Sequence, residues 1–150
     1  MDKYSHTYNV ILDNMDLNEY RLRPIAAIMY MQDYSDVAIE EKSVANCGNL
    51  IVCLSMLDSY MSKEWIEPDT FISKYSPYIS NMGVCDIEAI SQDFKGNMEI
   101  SEYSPENIKE AMDGGADAIL LKISNPSELG LNQTYIIITG YGENDTYIVR

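Results

Sequence analysis

Cys47, Cys53 and Cys85 are the only thiols in this 150-residue sequence, and His6 is its only imidazole. The stretch SVANCGNLIVCLSML, residues 43–57, sets Cys47 immediately before a run apolar enough to be a buried helix. A thiol at a helix N-terminus lies beside unpaired backbone N–H groups and the positive end of the helix dipole. Both favour the nucleophilic thiolate. Gly48 beside it would let a substrate carbonyl approach the backbone. Cys53 falls inside the apolar run and Cys85 in a separate segment, so only Cys47 has the setting of a nucleophile. The plain alternative is that a cysteine opening an apolar helix packs in the core. An odd number of cysteines, no CxxC spacing and one histidine argue for reduced thiols in a cytoplasmic protein and against a zinc site. No metal or cofactor is expected.

Such a thiol needs a folded scaffold. The length suits a single domain spanning 1–150, with residues 1–27 an N-terminal extension or first strand. Hydrophobic content is 46% with 12 tyrosines, which says globular. No apolar run approaches the roughly 20 residues of a membrane span. The opening MDKYSHTYNV lacks the basic-then-apolar pattern of a secretion signal. With 24 acidic residues against 10 basic ones the net charge is −14, the wrong sign for binding nucleic acid. Scattered carboxylates suit an ordinary soluble surface. The sharper reading is an acidic decoy that occupies a basic partner surface.

Local patterns then supply the elements. YNVILD, 8–13, alternates as a strand, and NMDLNEY reads as a turn. RPIAAIMYMQDYSDVAIEE has helical apolar spacing, yet Pro24 and QDYSD also suit an extended segment ending in a loop. Residues 47–61 form the strongest helix, apolar at 47, 50, 51, 53, 54, 57, 60 and 61. EPDTFISKYSPYI holds a short helix opening near Pro68 and stopped by Pro77. VCDIEAISQDF, 84–94, suits a third, with KGN as its terminating turn. In SPENIKEAMDGG, Ser104 can cap, Pro105 fits the first turn, Glu106 favours the dipole, and Gly114-Gly115 ends the helix. ADAILLKIS and QTYIIITGYG read as buried strands joined by the loop NPSELGLN, and DTYIVR as a third strand. Helices first and strands last predict an α+β fold, with a central buried helix packed on a C-terminal antiparallel sheet.

This order of elements resembles the papain-fold peptidases of the bacteriocin-leader, or double-glycine, type. IMYMQDYSDVAIEEKSVANCGNL looks like that family's glutamine loop leading into its glycine-cysteine-glycine helix start. ENIKEAMDGGADAILLKI looks like its helix, glycine turn and strand, and QTYIIITGYGENDTYIV like its GHFIVLTGY strand and the one after. The resemblance runs from about Ile28 onward. It implies that Cys47 is the nucleophile and that Gln32 donates a hydrogen bond to the oxyanion. The family's general-base histidine falls at Thr134, which cannot accept a proton near neutral pH. The aspartate that orients the histidine falls one position past Arg150. NCGNL lacks the family's first glycine, with Asn49 and Leu50 where proline and threonine are usual. His6 lies outside the resemblance and is expected to be exposed.

The resemblance therefore implies a degenerate cysteine peptidase domain that binds a peptide or protein in its cleft. Two alternatives stand beside it. One is a working thiol hydrolase or acyltransferase using Cys47 with a base from elsewhere. The other is an acidic interaction protein or inhibitor. A second resemblance covers only the start: residues 8–41 look like the opening strand, loop and central helix of hot-dog thioesterases, in which Cys47 would be incidental. The many tyrosines, among them Tyr30, Tyr34, Tyr75, Tyr78, Tyr135, Tyr141 and Tyr147, are expected to fill core and groove walls.

Overall fold

The computed structural model describes residues 21–22, 29–94, 98–99, 104–123, 135–141 and 147–149. In chain order its elements are β1 (Arg21–Leu22), a 3-10 turn (Met31–Tyr34), β2 (Ala38–Ile39) and β3 (Lys42–Ser43). Next come α1 (Val44–Cys47), α2 (Asn49–Ser62), α3 (Pro68–Tyr75), a second 3-10 turn (Ser76–Tyr78) and α4 (Ile87–Ser91). α5 (Pro105–Asp113), β4 (Ile119–Lys122), β5 (Tyr135–Tyr141) and β6 (Tyr147–Val149) complete the set. The class is mixed α+β with antiparallel sheets. The expected strand at 8–13, the KGN turn at 95–97 and the loop at 125–132 lie outside the described residues. The elements group into two compact units, one covering 25–100 and the other the remainder.

The 25–100 unit is built around α2, in which every residue from Leu50 to Ser59 is buried. A helix enclosed on all sides must satisfy its polar side chains internally. Ser55 donates to the Ile51 carbonyl at 2.7 Å. Ser59 donates to the Ser55 carbonyl at 2.7 Å and accepts the Ile66 N–H at 2.8 Å, which ties the following loop to the helix. Asp58 meets Lys74 of α3 at 3.6 Å. Pro68 opens α3 at a position where a missing N–H costs nothing. Its buried face sets Phe71 against Tyr75 with tilted rings, centroids 4.7 Å apart, and Phe94 stands edge-on to Tyr75 at 6.4 Å. Asp86 caps α4 by accepting the Ala89 N–H at 3.1 Å.

The ambiguous segment 23–41 is not a helix where it is described. It forms the Met31–Tyr34 turn and then the tight β2–β3 hairpin, paired Ala38 to Ser43 and Ile39 to Lys42. Gln32, Asp33, Ser35 and Asp36 are all exposed, so the polar positions interrupt any continuous buried stripe.

In the other unit, α5 follows its sequence signals closely. Ser104 accepts the Asn107 N–H at 3.0 Å, and the Gly114 N–H returns to the Glu110 carbonyl at 2.8 Å. Ile108 and Met112, one turn apart, pack with Ile123, Ile136 and Ile138. β5 is the central strand. β4 and β6 both pair with Ile138, so they occupy opposite edges, and β1 continues the β4 edge at Gly140 and Tyr141. Ile137 and Thr139 on the second face of β5 are as buried as Ile136 and Ile138. Burial on both faces explains its unbroken apolar run. β4, expected to be buried, is only half-buried from Ile119 to Leu121, with Lys122 exposed. Among the described strands it pairs on one edge alone, which leaves its other edge without a strand partner.

Candidate functional site

Cys47 does not open the long helix. It is the last residue of α1, and Gly48 separates it from α2. The Gly48 N–H closes α1 on the Val44 carbonyl at 2.8 Å, while its own carbonyl accepts the Val52 N–H at 2.9 Å and so starts α2. Two helices thus share one buried residue. A Cβ on Gly48 would lie 2.7 Å from the Val44 Cα, Cγ1 and carbonyl oxygen. A glycine at 48 is thus required by Val44 of the preceding turn, whatever approaches the backbone there.

The Cys47 thiol is half-buried and donates to the Ser43 carbonyl at 3.7 Å. Gly83 covers it from another part of the chain. Gly83 has φ +74, and a Cβ placed there would run into the Cys47 carbonyl oxygen and lie 3.6 Å from the Cys47 Sγ. It sits at the end of a tight hairpin that the sequence reading missed. Ser80 Oγ accepts the N–H groups of Met82 and Val84 at 3.2 and 3.1 Å. The Gly83 N–H donates to the Ser80 carbonyl at 3.0 Å, Ser80 N–H to Val84 at 2.8 Å, and Asp86 N–H to Tyr78 at 2.9 Å. Ile79 pairs with Cys85 between them. The signal was present as Ser-Asn-Met-Gly between Ile79 and Val84, turn residues flanked by β-branched ones.

The other two thiols are sealed. Burial pushes Cys53 up to about 12, and does the same to Cys85. Asn49 donates to the Cys53 Sγ at 3.9 Å, and Cys85 donates to the Gly83 carbonyl at 3.7 Å. Gln32 is exposed within the Met31–Tyr34 turn, and that turn packs against α1. The segments carrying Gln32 and Cys47 are therefore neighbours, held also by the Val44 N–H to Val37 carbonyl bond at 2.9 Å. In the same turn, burial raises the Tyr34 phenol, and the charges of Glu67, Asp33 and Asp69 raise it further. Thr134 and His6 lie outside the described residues.

Chemically, the site offers one half-buried thiol, an amide side chain on an adjoining turn, and no histidine among the described residues. Such a thiol can add to an electrophile, while protonating an amide leaving group requires an acid that these residues do not supply. Among the described residues no group of three or more His, Cys, Asp or Glu is placed to hold a metal ion. Nor is any helix there long and apolar enough to cross a membrane. No family model, curated protein or solved structure matches the chain.

Proposed function

We propose that the chain is a catalytically degenerate papain-like domain of the leader-peptidase type, which binds a peptide or protein beside Cys47. One observation carries the reading: the turn bearing Gln32 packs against the short helix that ends in Cys47. A nucleophile and its oxyanion donor need that adjacency. The resemblance puts Thr134 where the family has its general base, and His6 is the only imidazole in the sequence. Amide cleavage needs a deprotonated nucleophile and a protonated leaving amine, and one histidine ordinarily serves both steps. Its loss removes roughly two to four orders of magnitude of rate.

The test is cleavage of a double-glycine peptide, alongside binding of the same peptide by the native chain and by Cys47→Ser. Binding retained in both, with no cleavage, is the expected result. Thr134→His should raise the alkylation rate of Cys47. Robust Cys47-dependent hydrolysis by the native chain would instead establish the thiol hydrolase or acyltransferase. Partner binding that collapses with salt and ignores Cys47 would establish the acidic interaction protein.

A further inference from the structure

Five large apolar side chains stand exposed among the described residues, and three of them, Tyr78, Met82 and Val84, belong to the hairpin that covers Cys47. The pairing of Tyr78 with Asp86, Ile79 with Cys85 and Ser80 with Val84 sets the faces. Side chains alternate along a strand, so Ile79 and Cys85 share one face while Tyr78, Ser80, Val84 and Asp86 share the other. The burial agrees: Cys85 is 8% exposed, whereas Tyr78 is 45% and Val84 64% exposed. Met82, 52% exposed, extends the outer face at the tip. This apolar surface is rigidly mounted, since Ser80 Oγ holds two N–H groups of the turn and Gly83 is pressed on the Cys47 backbone.

We infer that the outer face of the 78–86 hairpin is the docking surface for an extended cationic peptide, whose apolar side chain lies across Val84 and Met82 while a basic neighbour meets Asp86. The inference rests on the peptide-binding reading and adds the place and the chemistry of the ligand. Charge decides the occupant. Within the hairpin and the helix that follows it, residues 78–91, the only charged side chains are Asp86 and Glu88, both exposed at the hairpin's base, and the nearest basic residues along the chain are Lys74 and Lys95. A second copy of this chain would bring the same carboxylates to the contact and a net charge of −14, so like charge opposes self-association. The patch comprises three side chains on nine residues, a size matched to a short strand of peptide rather than to a broad protein face.

The test uses three fluorescein-labelled hexapeptides in anisotropy titrations against the full chain: alternating leucine and arginine, alternating serine and arginine, and alternating leucine and glutamate. The leucine–arginine peptide should bind, and the other two at least about tenfold more weakly. Val84→Ser and Met82→Ser each remove exposed apolar contact only and should weaken binding about fivefold. Asp86→Asn keeps the helix cap and should weaken it about threefold while flattening its salt dependence. Unchanged thermal midpoints show that all three variants fold. If the peptide binds and a bulky maleimide on Cys47 blocks it, yet the hairpin variants do not matter, the cleft reading stands and the hairpin assignment falls. Equal binding of the leucine–arginine and leucine–glutamate peptides overturns the cationic assignment. If none of the three peptides binds, with or without a Val84-dependent dimer, the hairpin assignment falls, while the peptide-binding reading stands or falls separately with the double-glycine peptide.

Discussion

Gly83 lies so close to the carbonyl of Cys47 that no side chain fits between the two backbones. The position of the accessible thiol is therefore set by a hairpin remote in the sequence as well as by its own helix. Gly83→Ala meets two penalties, the left-handed φ of +74 and the collision with the Cys47 carbonyl. The expected loss is about 2 kcal/mol or more, read as a lower urea midpoint. Because the hairpin must shift away, iodoacetamide should also reach Cys47 faster than in the native chain. A variant as stable as the parent would show that the two segments separate freely.

What the sequence revealed and what it hid follow from how local each signal is. α5 was legible because Ser104, Pro105 and Gly114 act within a few residues of the backbone groups they satisfy. The central helix was legible from its apolar spacing, but its start was displaced, since the collision of a Cβ at Gly48 with Val44 appears only when both turns are built. Burial of Ser55, Asp58 and Ser59 was not legible either. Their partners are a helix carbonyl, the Ile66 backbone and Lys74 of another helix. The β2–β3 hairpin was concealed by its tip, where Glu40 takes φ 52 without the usual asparagine or glycine. At the candidate site, Cys47 is legible from its residue type and setting and Gln32 only through the family resemblance, whereas Gly83 is there through a contact that crosses the unit.

The three thiols should separate cleanly by reactivity. With Cys53 and Cys85 pushed up to about 12, roughly one molecule in 10⁵ carries either thiolate near neutral pH. One equivalent of iodoacetamide should enter the native chain, at Cys47, and three should enter in urea. Mass spectrometry of the digested product decides it. Early labelling of Cys53 would mean that α2 opens on the timescale of the reaction.

Alkaline pH should destabilise the fold, and the sign follows from the direction of the shifts. A thiol raised from 9.0 in the unfolded chain to about 12 in the folded one contributes its stability fully below pH 9. That stability is lost as pH rises toward 12. For Cys53 the loss by pH 10.5 is about 2 kcal/mol. Cys85, Tyr75 and Lys74 are raised as well, so each adds to the same trend. Urea midpoints measured between pH 8 and 10.5 should fall steadily, and more shallowly in Cys53→Ala, whatever the cavity does to the absolute value. A flat profile would contradict the burial of these groups.

Lys74 and Asp58 form an asymmetric pair, the Asp58 side chain 3% exposed and the Lys74 side chain 43% exposed, their charged groups 3.6 Å apart. The ammonium also stands 4.9 Å over the Tyr75 ring, so one cation serves a buried anion and an aromatic face. The Tyr75 side chain first, and then Asp58, raise the Lys74 pKa despite the opposing effect of its partial burial. Lys74→Met preserves the aliphatic stem that covers Tyr75 but removes the charge. Breaking a fully buried pair costs about 3–5 kcal/mol; solvent around Lys74 screens this one, and the expected loss is about 1–2 kcal/mol. Asp58→Asn should also destabilise. The double variant should lose less than the two single losses added, because each single change leaves a partner behind that the double does not. This coupling should persist at neutral pH and vanish as pH rises past the ordinary lysine value and through the raised one, when Lys74 discharges. Strictly additive losses at pH 7 would show that the pair is a neighbourly contact without energetic consequence.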